Sequence, residues 1–187
     1  MPYVCGMNQM ALLILTTLLL VACGPTDKQL ADIEAMEATL RENREAVKAG
    51  EAPLDSLLVL KLSRLQETWA TSHPKDTLAP VLLFKAGQGA ILLGDARRAY
   101  TLHAELLQQY PTHRLAGEAL FQMATIAHIE LAEAEAAQKL YKAYLSQFPN
   151  GPHARVAREA IHFFEVLPDS ADAQLLARIK AQSKASR

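Results

Sequence analysis

Two thiols, six imidazoles and a scatter of carboxylates are the groups in this 187-residue chain whose types could do chemistry. Both thiols, Cys5 and Cys23, lie within the first 23 residues. The body that follows therefore holds no disulfide, no thiolate nucleophile and no cysteine-bound metal. The imidazoles are His73, His103, His113, His128, His153 and His162. No two are three or four residues apart, the spacing that sets a pair of ligands on one helix face, so no metal is expected. Glu130, Glu133 and Glu135 spread over a solvated face rather than converging. Gly87-Gln88-Gly89 lacks the rest of a phosphate loop and reads as a close helix contact. Trp69 reads as core. With no Gly-x-Ser-x-Gly and no constellation of acid and base, neither an enzyme nor a cofactor is expected. One group stands apart, Cys23, because of what precedes it.

Ala11 to Ala22 is a twelve-residue uncharged run, mostly apolar. A membrane span needs about 20 apolar residues, so this run suits the core of an export signal better. No Lys or Arg precedes it, although a basic start is usual there. The run ends in Leu20-Val21-Ala22-Cys23, followed by Gly24. That tetrapeptide resembles the lipobox of bacterial lipoproteins. The resemblance implies that the Cys23 thiol takes a diacylglycerol in thioether linkage and that a peptidase then cuts before Cys23. The new amino group would accept a further acyl chain such as palmitate. Residues 1–22 are then a signal peptide, and residues 23–26 the lipidated cysteine and a short tether. Small residues at 21 and 22 give the peptidase access to the backbone. Gly24 stands where an Asp would retain such a protein at the inner membrane, which favours the outer membrane, facing the periplasm.

The elements behind the anchor are read from period and repeat. Half the residues are hydrophobic and only 6% aromatic, with Ala and Leu dominant. That composition favours helix over sheet. The net charge of −1 gives no electrostatic reason to expect nucleic acid. Shifting the chain by 38 aligns Ala86 with Ala124, Leu93 with Leu131, and Asp95 with Glu133. It also aligns Ala99 with Ala137, Leu102 with Leu140, Tyr110 with Phe148, Pro111 with Pro149, and Ala116 with Ala154. Trp69 to Pro74 echoes the same turn upstream. Each copy predicts two helices. Ala99, Leu102, Leu106 and Tyr110 make one helical stripe; Ala137, Leu140, Tyr144 and Phe148 make another. Ala137 should face the partner helix near Ala124, with Ala136 off the stripe. Leading and closing helices are predicted over 27–49, 54–71 and 152–166, and a short last helix over 171–182.

This pattern resembles the tetratricopeptide repeat. The second-helix signature of that family appears as Ala137-x-x-x-Tyr141 with Pro149, and as Ala99-x-x-x-His103 with Pro111. The first-helix signature positions fall on Leu83, Ala86, Gly87 and Ala90, then on Phe121, Ala124, Thr125 and His128. His103 and His128 thus stand where aromatics pack between helices. The aromatic-Pro turn with spaced alanines resembles a subclass found in outer-membrane barrel-assembly lipoproteins and Tol-Pal-associated periplasmic proteins. The resemblance implies an all-α fold, a helix-turn-helix solenoid of about three helix pairs plus a capping helix. That repeat domain would span 27–166, with a short helix and tail over 167–187. It also implies a membrane-anchored scaffold of the cell envelope that holds protein or peptide segments. The alternative is an accessory module that recruits a cell-wall or polymer-export enzyme.

Overall fold

The computed structural model describes residues 25–166, so the predicted helix over 171–182 lies outside the described residues. Among these residues the chain is all-helical, with seven helices and no strand. They are α1 (Pro25–Ala49), α2 (Ser56–Ser72), α3 (Ala79–Leu92), α4 (Ala96–Gln109), α5 (Ala116–Thr125), α6 (Ala134–Gln147) and α7 (Ala154–Val166). None is long and apolar enough to cross a membrane. The chain divides into two compact units, one up to Leu65 and one from Gln66, the boundary falling within α2.

In the first unit, α1 ends where Gly50 takes φ +75°, a conformation glycine adopts freely. The Glu51 N–H returns to the Ala46 carbonyl at 2.9 Å, closing the helix end. Asn43 then ties down the following loop. Its amide donates to the Pro53 carbonyl and its oxygen accepts from the Asp55 N–H. Asp55 caps α2 by accepting from the Leu58 N–H at 2.9 Å. Among the described residues of this unit, Ile33, Val59 and Leu62 are the buried apolar side chains.

The second unit is built from one turn used three times. The Asp76 N–H bonds to the His73 carbonyl, and the Ala79 N–H to the Asp76 carbonyl. The same two-step ladder runs Tyr110–His113–Ala116 and Phe148–Gly151–Ala154. Each ladder ends on the alanine that begins the next helix. Pro111 and Pro149 sit at these turns, where a missing N–H costs nothing and the helix cannot continue. Successive helices pack against one another, α3 on α4, α4 on α5, α5 on α6 and α6 on α7. Arg98 on α4 also reaches Glu67 on α2 at 2.5 Å. Trp69 is buried and stacks on His73 at 4.7 Å, as a core reading requires.

The two full copies are not in one register. Buried Ala79, Leu83, Ala86, Gly87 and Ala90 on α3 correspond to Ala116, Leu120, Met123, Ala124 and Ala127 on α5. That is a shift of 37, whereas Ala99, His103 and Leu106 meet Ala137, Tyr141 and Tyr144 at 38. The extra residue is absorbed at the end of α5 as a π turn, Ile126–Glu130, in which the Leu131 N–H reaches back five residues to Ile126. A π turn is how a helix takes one inserted residue without breaking. Of the first-helix signature positions in this copy, Ala124 is buried and Phe121, Thr125 and His128 are half-buried; Leu120, Met123 and Ala127 fill the core with Ala124. Ala136 also departs from expectation: it is half-buried against the core cluster rather than clear of it.

The turn after α5 carries a local cost. Gly94 takes φ +72° between α3 and α4, but the equivalent residue between α5 and α6 is Ala132, at φ +56°. A Cβ is penalised there by about 1–2 kcal/mol. Asp95 caps α4 through the Arg98 N–H, while the longer Glu133 makes no side-chain cap on α6. Ala132→Gly should therefore stabilise the protein by about 1 kcal/mol. A urea titration checks this: the midpoint rises with an unchanged slope, and an unmoved or lower midpoint refutes it.

Candidate interaction surface

The second copy concentrates aromatic rings that the first lacks. At one end the His153 ring lies flat on Phe121, with centroids 4.0 Å apart and planes at 10°. Its Nε2 is 2.6 Å from the Glu118 carboxylate. Phe121 contacts Tyr141 at 5.9 Å and Tyr144 at 5.6 Å. Tyr141 meets His128 edge-on at 6.1 Å, and His128 lies 4.5 Å from Phe164 and 6.1 Å from Phe163. These separations are those of favourable edge and offset contacts. Glu118 with His153 joins the starts of α5 and α7, and His128 with Phe164 joins their ends. The two helices therefore run alongside each other in the same direction.

This network surfaces at the π turn. Phe163 is 49% exposed and Ile129 61% exposed, the largest exposures among apolar side chains of this unit. Val156 lies seven residues before Phe163, two turns back on the same face of α7, and is exposed too. Leu92, in the last turn of α3, shows a further exposed apolar side chain. Glu130, which follows Ile129 in sequence, and Glu133 and Glu135 at the start of α6 are exposed, and none is ion-paired with a described cation. Among the described residues no group of three or more His, Cys, Asp or Glu could hold a metal ion.

The residues singled out from sequence are distributed as follows. Leu20, Val21, Ala22 and Cys23 lie outside the described residues. Ala99 and Ala137 are fully buried and Tyr141 nearly so. Pro111 and Pro149 are exposed; they end helices, while the half-buried Tyr110 and Phe148 beside them do the packing. Ala137 shares its core cluster with Ala124, as its spacing predicted. His103 is fully buried in the first copy, 5.1 Å from Phe84. It fills the space left by Gly87, where an added Cβ would fall 2.6 Å from the ring. The exposed patch itself was missed. Its signal was present in Ile129 and Phe163, apolar residues off the buried stripes, but a uniform shift of 38 concealed it.

No known family model and no curated protein matches the chain.

Proposed function

We propose that this chain is a lipid-anchored protein of the bacterial cell envelope, facing the periplasm, that holds other proteins on a tetratricopeptide-like helical array. The single observation that carries the interaction role is the exposure of two large apolar side chains, Ile129 in the π turn and Phe163 on α7. Three turns of one design support the repeat reading, each delivering the chain to an alanine at the start of a helix. Leu20-Val21-Ala22-Cys23 supports the anchor. Covering apolar surface contributes about 25 cal/mol per Å², so a few such side chains give a docking site appreciable affinity.

One experiment addresses both halves. A photo-crosslinking side chain is placed at Ile129, or at exposed Lys142 as control, in cells fed a labelled fatty acid. The position-129 variant should give a discrete heavier adduct that the position-142 variant lacks. Cys23→Ser should abolish lipid label and leave an uncleaved precursor. A Ser variant that is still cleaved and labelled removes the anchor, and equal adducts at both positions remove the docking surface.

A further inference from the structure

The helix after the second copy starts as its predecessors do. Ala154 and Ala157 are buried at the start of α7, as Ala116 and Ala119 are on α5. The match then fails on one face. Buried Leu83, Gly87 and Ala90 on α3, and Leu120, Ala124 and Ala127 on α5, face the helix that follows in each copy. Counted from the starting alanine, the same positions on α7 are Arg158, His162 and Glu165, all exposed. That face is built for water and terminates the array. The turn beyond α7 also differs. Leu93-Gly94-Asp95 and Leu131-Ala132-Glu133 are followed in sequence by Leu167-Pro168-Asp169. The middle residue of the first two has positive φ. Proline is held near −65° and cannot adopt it. Both the residue type of the earlier turns and the apolar face of the earlier helix pairs are missing here.

Residues 171–182 nevertheless carry Leu175, Leu176 and Ile179, an apolar stripe at helical spacing. From Arg178 onward come Arg178, Lys180, Lys184 and Arg187, with no acid after Asp172. Exposed Glu130 directly follows exposed Ile129 in sequence, and exposed Glu133 and Glu135 open α6 just beyond it. Phe163 is one helical turn before the last residue of α7, about 5 Å along the axis. The four residues 167–170 span up to about 13 Å when extended, so residues 171–182 reach the patch easily. We propose that residues 171–182 dock on this patch within the same chain. Leu175, Leu176 and Ile179 would cover Phe163 and Ile129, with the basic end of the segment toward Glu130 and the acids that open α6. The segment then competes, at the high local concentration of a short tether, with any protein that uses the patch. This deepens the docking-surface half of the proposed function and rests on it; the lipid anchor plays no part.

Hydrogen exchange followed by mass spectrometry on the full chain in detergent tests this. Amides of 171–182 should exchange at least tenfold more slowly than in a Phe163→Asp variant. Amides of α3–α6 should exchange alike in both, which shows that the variant is folded. Leu176→Asp should release the segment equally. Exposed Thr101→Asp on α4, placed away from the patch, should leave it protected. The proposal is overturned if 171–182 is unprotected in the parent, or if Phe163→Asp leaves its protection intact. Protection that fades on dilution also overturns it, because the occupant would then be a second copy. If the segment proves unprotected while Ile129 still gives its adduct, self-occupation fails and the docking surface stands.

Discussion

Lowering the pH from 7 to 4 should destabilise this protein markedly, and His103→Phe should remove much of that loss. Burial is the main cause that lowers the His103 imidazole from 6.5 to about 4, and the Glu118 charge only partly opposes it. Neither ring nitrogen has a hydrogen-bond partner, so no hydrogen bond offsets the burial. The sign follows from linkage. Above pH 6.5 the ring is neutral whether the chain is folded or unfolded, and stability is at its full value. Between 6.5 and about 4 only the unfolded chain binds the proton, so stability falls with pH. Each pH unit across that window costs about 1.4 kcal/mol, or about 3 kcal/mol in all. Phenylalanine removes the titrating group and suits a position whose counterpart in the second copy is Tyr141. Urea midpoints at pH 7 and pH 4.5 for both proteins decide it. If the two lose the same stability on acidification, His103 is not responsible.

Ala137→Leu should lower the melting temperature by several degrees. Ala137 has no exposed surface and belongs to one cluster with Ala124, Ala127, Tyr141 and Tyr144. Three extra carbons there must push α6 from α5, and overpacking of this kind costs about 1–3 kcal/mol. Ala134, exposed in the first turn of the same helix, is the control. Ala134→Leu keeps the helix propensity of the larger side chain without the clash and should barely move the transition. Equal shifts at 134 and 137, or none at 137, would place α6 in another register.

Helix boundaries and the internal copies could be read from the residues. Aromatic-Pro pairs stop a helix by local chemistry, and alanines at a helical period mark the side that faces a neighbour. The same reasoning placed Ala99, Ala137, His103 and Trp69 inside. His128 packs between helices, against Tyr141 and Phe164, as that reasoning expected, but it did not single out Leu120, Met123 and Ala127 as core, and it overlooked Ile129 and Phe163. A single shift of 38 cannot represent a residue inserted inside a helix. The insertion is invisible in hydrophobic pattern, because the stripe on α5 remains continuous up to Ala127.

What the sequence determined by itself is what local physics controls: an all-helical chain, its turns, the buried alanines, and a cysteine set behind an apolar leader. Each depends on the few residues around it. The tertiary structure decided where the inserted residue went. The options were to break α5, shift α6, or widen one turn. The Leu131 N–H bond to Ile126 took the third, because it keeps Ala124, Ala127 and Ala137 in one cluster and sacrifices a single turn at the surface. That choice turns His128 onto Phe164 and leaves Ile129 in water. No local rule predicts it, since the energy that selects it is the packing of three helices at once.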